Sequence, residues 1–149
     1  MARAKQRLEP VADLAEHQRM QAEMALAQAQ RQVHSRTQML AQLRTFRDTY
    51  DQGHVRAQVG ARSMAALRDF EHFLERLDQA IEQQRIELAE TRAAATELRQ
   101  SLQAATTRAD SLQLVLERAQ SLAHRRHEAH EQELLDELAC VAAARKSST

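Results

Sequence analysis

A long heptad stripe in the second half of the chain constrains the fold more than any other feature. Between residues 67 and 123, positions spaced alternately three and four apart never slip in phase, and fifteen of the seventeen are apolar. The two polar positions are Gln84 and Thr91. Such a repeat places every position on one face of a helix and is typical of coiled coils. The stripe consists of Leu67, Phe70, Leu74, Leu77, Ile81, Gln84, Leu88, Thr91, Ala95, Leu98, Leu102, Ala105, Ala109, Leu112, Leu116, Ala119 and Ala123.

A second stripe precedes it and starts at Leu8. Ten of its thirteen positions are apolar or aromatic, and the other three are arginines. Pro10 lies near its start, where the first turn of a helix tolerates proline. These features predict a first helix over about residues 9–51. The stripe consists of Leu8, Ala12, Ala15, Arg19, Ala22, Leu26, Ala29, Val33, Arg36, Leu40, Leu43, Arg47 and Tyr50.

The second helix is predicted over about residues 62–144, followed by a short disordered tail. Arg145 and Lys146 lie at its end, where positive charge suits a helix C-terminus. Beyond Ala123 the stripe becomes polar. An apolar repeat then resumes one residue out of phase at Leu134, Leu138 and Val141.

The link between the stripes contains both glycines of the chain, Gly53 and Gly60, where a helix ends most cheaply. We expect a loop over about residues 52–61, and a short link between two apolar stripes implies an antiparallel hairpin. With one proline, two glycines and no tryptophan, the composition favours long helices over a rounded domain. The predicted fold is all-α, a long two-helix antiparallel coiled coil that forms a single domain over residues 1–149.

The predicted helices differ in length, about 65 Å for the first and about 120 Å for the second at the α-helical rise. The first helix should therefore cover the second only to about residue 105. An apolar stripe beyond that point would lack a partner within the chain, which suggests an external one. The stripe residues in question are Ala109, Leu112, Leu116 and Ala119.

Charge and hydropathy exclude several classes of protein. The chain has 21 basic and 21 acidic residues, interleaved, whereas a nucleic-acid-binding protein would show a basic stripe. No apolar segment approaches the roughly 20 residues that span a bilayer, and the basic N-terminus lacks the apolar core of a secretory signal. The single cysteine, Cys140, cannot form an intramolecular disulfide. We expect a soluble, cytoplasmic protein without direct membrane insertion.

The few aromatic residues cluster around the predicted hairpin tip. An antiparallel pair would bring them together, and three nearby side chains, Met39, Phe46 and Phe73, lie off the strict stripe and should face outward. An exposed aromatic and methionine patch is a plausible docking site. Aromatic rings can equally plug the loosened end of a hairpin. The four aromatic residues are Phe46, Tyr50, Phe70 and Phe73.

Two segments carry a resemblance to a known family. "LRTFRDTYDQG" (43–53) followed by "LRDFEHFLERLDQAIEQQRIEL" (67–88) resembles the flagellar export protein FliJ family. The shared pattern is a leucine, two aromatics around an arginine, a glycine-containing loop, and then Phe-Leu-x-x-Leu-x-x-Ala-Ile. The early segment "LEPVADLAE" (8–16) is also similar to the start of that family.

The resemblance implies a component of the flagellar type III export apparatus, located in the cytoplasm and at the flagellar base beside the inner membrane. Family members form a stalk-like coiled coil that binds the export ATPase (FliI) and promotes its ring assembly. They also link the ATPase, with its regulator (FliH), to the cytoplasmic domain of the export gate protein (FlhA), and they escort export chaperones. By the same analogy, the stripe of Ala109, Leu112, Leu116 and Ala119 would face the ATPase.

The family's gate-binding surface matches eight positions here. Met39 and Gln84 stand where the family pattern has glutamine and histidine, and Phe46 stands where tyrosine is more usual. The apolar centre of the surface therefore fits the pattern better than its polar edge. The eight residues are Met39, Leu43, Phe46, Tyr50, Phe73, Leu77, Ala80 and Gln84.

Catalytic and metal chemistry have little support in the sequence. The segment "HRRHEAHEQE" places His124, His127 and His130 three residues apart, but without an HExxH pattern it favours a solvated, pH-sensitive helix surface over a metal site. For Cys140, a half-buried small residue is favoured over a reactive thiol. Without a glycine-rich phosphate loop, we expect no nucleotide hydrolysis, no cofactor and no enzyme activity.

Two alternatives remain open from the sequence. A generic dimeric coiled-coil scaffold would also explain the long second helix, although it would not need an aromatic cluster. The equivalent stalk of a virulence-type secretion system would share the architecture and the mechanism.

Overall fold

The computed structural model describes residues 2–57 and 63–148, which form two helices. The first, α1, spans Ala2–Ala57, and the second, α2, spans Met64–Ser147. No strand occurs among these residues. The all-α helical hairpin with a longer second helix is therefore confirmed.

The helix α1 is longer at both ends than the predicted 9–51. It begins at Ala2, so Pro10 lies inside the helix and not in its first turn. Proline cannot donate a hydrogen bond to the carbonyl of residue 6, but Pro10 is exposed, so that carbonyl can bond to water. Gly53 is helical as well and has no positive φ angle, so the predicted break at this glycine is wrong.

The helix α2 starts at a capping residue. Ser63 accepts a hydrogen bond from the Ala66 amide through its Oγ (3.3 Å) and another from the Leu67 amide through its carbonyl oxygen (3.2 Å). The first of these bonds satisfies an amide that the first turn leaves without a helical partner, and the second is the first backbone bond of the helix. Of the predicted loop 52–61, residues 52–57 are helical and residues 58–61, with Gly60, lie outside the described residues. The predicted tail is helical as far as Ser147.

The chain divides into two compact units, and each contains part of both helices. One unit comprises Met1–Gln21 and Gln103–Thr149, and the other comprises Ala22–Leu102. We call them the terminal unit and the central unit. The single domain over residues 1–149 stays a prediction.

Two ion pairs across the central unit show that its helices are antiparallel. Arg36 lies 2.6 Å from Glu87, and Arg47 lies 2.9 Å from Asp78. As the residue number on α1 rises from 36 to 47, the number of the ion-paired residue on α2 falls from 87 to 78. The core between the helices is a single layer of buried stripe residues, namely Leu26, Ala29, Leu40, Leu77, Leu88 and Ala95.

The terminal unit corrects one expectation. The stripe beyond residue 105 was predicted to lack a partner within the chain, but Ala109 is only 5% exposed and Leu116 only 8%. Leu112 and Ala119 are half-buried. Ala12 and Ala15 of α1 are buried in the same unit. The expectation failed because the predicted loop 52–61 was misplaced. The helix α1 continues to Ala57, so each residue of α1 pairs with a residue further along α2 than that loop implies.

The last part of α2 is different. Every residue from 124 to 148 is exposed, including the large apolar side chains of Leu134, Leu135, Leu138 and Val141. We call residues 124–148 the extension. Its four large apolar side chains are 47–65% exposed, so no other described part of the chain buries them.

Candidate partner-binding surface

The four aromatic side chains form one cluster in the central unit. The ring of Tyr50 lies 4.6 Å from that of Phe46, 5.0 Å from that of Phe73 and 6.4 Å from that of Phe70, measured between centroids. Phe46 and Phe73 meet edge to face at 6.5 Å. These separations lie in the range in which aromatic pairs attract each other. We call this group the aromatic cluster.

The aromatic cluster faces solvent as well as the helix pair. Phe46 is 46% exposed, Tyr50 40% and Phe73 38%, whereas Phe70 is half-buried on the stripe. The contacts and the exposure together indicate that the rings support one another and present an apolar surface.

Three neighbours hold the cluster in place. Leu77 is buried and Leu43 half-buried, so both belong to the layer between the helices. Arg47, next to Phe46 in sequence, donates from Nε to Oδ1 of Asp78 at 2.9 Å and from Nη2 to Oδ2 at 3.5 Å. This two-point contact joins α1 to α2 beside the rings and fixes their register there.

The remaining three predicted residues lie at the edge of this surface. Ala80 is exposed on α2, and Met39 and Gln84 line one shallow groove on the central unit, together with Gln32, Ser35, Arg36 and Thr91. The Oε1 atom of Gln84 is buried and has no hydrogen-bond partner. A buried carbonyl oxygen without a partner is costly, so this position is not optimised for the isolated helix pair.

The groove is bounded by a polar layer. Glu87 accepts hydrogen bonds from Gln83 (3.2 Å) and from Arg36 (2.6 Å). The hydrogen bond from Gln83, and after it the one from Arg36, lowers the pKa of Glu87. A polar layer in an apolar seam specifies the register of the two helices.

The structure also shows a groove that the sequence reasoning missed. Its floor consists of Leu40, Ala41, Leu88 and Ala89, and Thr37 and three arginines surround it. Arg85 is engaged by Glu82 at 2.7 Å. The arginines, Arg44, Arg85 and Arg92, lie on two helices, so helical spacing within either sequence segment could not reveal that they meet.

The histidine segment and the cysteine lie in the extension. His124 is 3.0 Å from Glu128, and His127 is 3.1 Å from Glu131, both at the i, i+4 spacing of helix-surface pairs. No group of three potential metal ligands occurs among the described residues. Cys140 is exposed and not half-buried, because α1 does not reach this part of α2.

Comparison with known proteins decides the family. A family model described as flagellar FliJ protein matches residues 4–148, which is nearly the whole chain. The chain belongs to the FliJ family. Membership makes it a component of the flagellar type III export system, in a family without catalytic function.

Two further comparisons, with curated proteins and with solved structures, identified no relative of this FliJ family member. In the part of the chain that the structure describes, no helix is long and apolar enough to cross a membrane.

Proposed function

We propose that this FliJ family protein is a stalk-like coiled coil that links the export ATPase to the export gate and escorts export chaperones. The observation that carries the proposal is the aromatic cluster, in which three rings contact one another yet keep more than a third of their surface exposed. Burial of such rings by a partner contributes much of the energy of typical interfaces. The cytoplasmic domain of the gate protein FlhA is the proposed partner of this surface.

The proposed gate surface has an apolar centre and a polar edge. Phe46, Tyr50 and Phe73 provide the centre, above Leu43 and Leu77. Met39, Ala80 and Gln84 extend it along both helices, and the groove beside Gln84 offers room for a partner side chain. The protein would accordingly act at the flagellar base, peripherally to the inner membrane.

Binding to the gate domain can be measured with purified wild-type chain and the variants Phe73→Ala and Tyr50→Ala. We expect each variant to lose at least tenfold in affinity, about 1.4 kcal/mol. Circular dichroism checks that the variants stay helical. Leu114→Ala is the matched control, because Leu114 is 50% exposed but lies in the terminal unit. If the folded variants bind the gate domain unchanged, the aromatic cluster only packs the end of the hairpin. The protein would then be a coiled-coil scaffold without this gate contact.

The contact with the ATPase FliI and its regulator FliH is assigned to the terminal unit. Ala109 and Leu116 are buried between the helices and cannot contact a partner extensively. The proposal therefore uses exposed apolar side chains of the same unit, among them Leu14 and Leu114. The stripe of Ala109, Leu112, Leu116 and Ala119 would support that surface from within.

Stimulation of ATPase ring assembly separates this contact from gate binding. We expect Leu14→Glu and Leu114→Glu to lower the stimulation while gate binding stays intact. Ile86→Glu, at an exposed apolar position of the central unit, should leave the stimulation unchanged. Equal stimulation by all three variants would contradict the assignment to the terminal unit.

A further inference from the structure

The extension carries an apolar stripe that cannot belong to the α1 contact. Continuing the α1-facing repeat beyond Ala123 leads to charged or polar side chains, namely Arg126, His130, Glu133 and Glu137. The exposed apolar side chains instead follow a repeat of their own, at Leu134, Leu138 and Val141. A one-residue change of phase rotates a helix face by about 100°. This new face points away from the direction in which α1 covers α2.

Opposite charges mark the two ends of this stripe. At the same heptad spacing, Glu131 precedes Leu134 and Arg145 follows Val141. Both lie among the exposed residues of the extension. We call the set of Glu131, Leu134, Leu138, Val141 and Arg145 the extension stripe.

We propose that the extension stripe pairs with the same stripe of a second copy of this chain, as an antiparallel two-helix coiled coil. In this pair, Leu138 of each copy lies against Val141 of the other copy. Arg145 of each copy then lies opposite Leu134 of the other, and its guanidinium comes near Glu131 of that same copy. The arrangement has a two-fold axis, so each contact occurs twice. Leu135, which is 60% exposed, then flanks the seam beside Ala142 of the other copy.

Charge decides the orientation of the pair. A parallel pair would set Glu131 against Glu131 and Arg145 against Arg145, which is repulsive at both ends. The antiparallel pair sets the two opposite charges against each other at both ends. His127 lies 3.1 Å from Oε1 of Glu131, which leaves the second carboxylate oxygen for the arginine.

The size of the surface sets the expected strength. A standard interface buries about 800 Å² on each partner. The extension offers less, because each copy contributes only four large apolar side chains, Leu134, Leu135, Leu138 and Val141. We therefore expect reversible dimers with a dissociation constant of roughly 10 µM to 1 mM. Added salt should weaken them, because the two ion pairs remain near solvent.

Sedimentation equilibrium of the full chain, at concentrations up to about 1 mM, measures this association. Leu138→Glu should make the chain monomeric over the whole range. Ile86→Glu, the same substitution at an exposed apolar position outside the extension, should dimerise like the wild type. A wild-type chain that stays monomeric throughout, or a dimer unaffected by Leu138→Glu, would overturn the proposal.

A charge exchange tests the orientation. Glu131→Arg and Arg145→Glu should each weaken the dimer at least threefold, and the double variant should restore it. In a parallel pair the two positions are 14 residues apart in sequence, about 21 Å along the axis, so the exchange could not rescue binding. Asp136→Arg, which lies on the outer face of the helix, is the control for added positive charge. Absence of rescue, with all variants helical, would contradict the antiparallel pair.

A head-to-tail contact is a distinct outcome. Carboxylates of the extension of one copy could dock on the arginine-lined groove of another, and such a contact would form chains longer than dimers. Species larger than dimers that disappear in an Arg44→Glu, Arg92→Glu variant would overturn the symmetric pair in favour of that contact.

Discussion

Residues 64–123 of α2 and the extension that follows them are stabilised in different ways. In the first part, all seventeen heptad positions are buried or half-buried against α1. In the second part every residue is exposed, and the contacts between side chains are local, such as those of His124 with Glu128 and of Gln132 with Asp136. Helices of this kind derive most of their stability from packing, so the same residue type should matter very differently in the two parts.

Truncation of a stripe leucine should show the largest difference. Leu88 is 4% exposed, and we expect Leu88→Ala to lower the free energy of unfolding by about 2–5 kcal/mol. The substitution leaves a cavity between the helices that no other side chain fills. Leu138 is 65% exposed, and Leu138→Ala should change the free energy of unfolding by less than about 0.5 kcal/mol. Urea denaturation followed by circular dichroism, at a concentration too low for association, measures both. Equal losses would mean that residues 124–148 are packed as residues 64–123 are.

A smaller effect is expected where α1 continues through its glycine. Gly53 is helical, and an added Cβ would meet no atom within 4 Å. Gly53→Ala should therefore stabilise the chain by about 0.5–1 kcal/mol, since alanine loses less backbone entropy in a helix. Thermal unfolding checks this, with Ala139→Gly in the exposed extension as the reverse substitution. A loss of stability in Gly53→Ala would show that α1 ends before residue 53.

The smallest expected effect is the acid dependence of the polar layer. Because hydrogen bonds from Gln83 and Arg36 lower the folded-state pKa of Glu87, its contribution is present above the unfolded pKa of about 4.3 and is lost as the pH falls through the lower folded value. Glu87→Gln should remove this part of the acid destabilisation. Glu128→Gln in the extension should leave the global pH dependence unchanged. Stability measured from neutral pH to about pH 2.5 compares the two. Identical acid profiles for wild type and Glu87→Gln would contradict the role of this layer.

The heptad pattern predicted the contact surface well because burial in a two-helix pair depends on little else. It located the layer between the helices residue by residue, and of the thirteen positions of the first stripe only Tyr50 is exposed. It misplaced the helix ends, because Pro10 and Gly53 both lie at exposed positions inside α1, where the helix tolerates them. The error at the end of α1, where residues 52–57 are helical, misplaced the pairing of the two helices. It led in turn to the wrong expectation that Ala109 and Leu116 lack a partner within the chain.

The candidate site was predictable in part. The aromatic residues are conspicuous in a chain with only four of them, and antiparallel pairing brings them together. Their ring contacts, the orphaned Oε1 of Gln84 and the arginine-lined groove depend on how two helices are rotated against each other. A repeat of apolar residues does not specify that rotation closely enough to place individual polar atoms.

The claim that the aromatic cluster docks on the export gate is tested most directly by crosslinking. A photoreactive phenylalanine analogue in place of Phe73 keeps an aromatic ring at a position that is 38% exposed, and the same analogue in place of Leu114 serves as the control. In cells that assemble flagella, we predict that the analogue at position 73 crosslinks to the cytoplasmic domain of the gate protein and that the one at position 114 does not. Crosslinks from position 73 that stay within the chain, or equal crosslinking to the gate domain from both positions, would contradict the account.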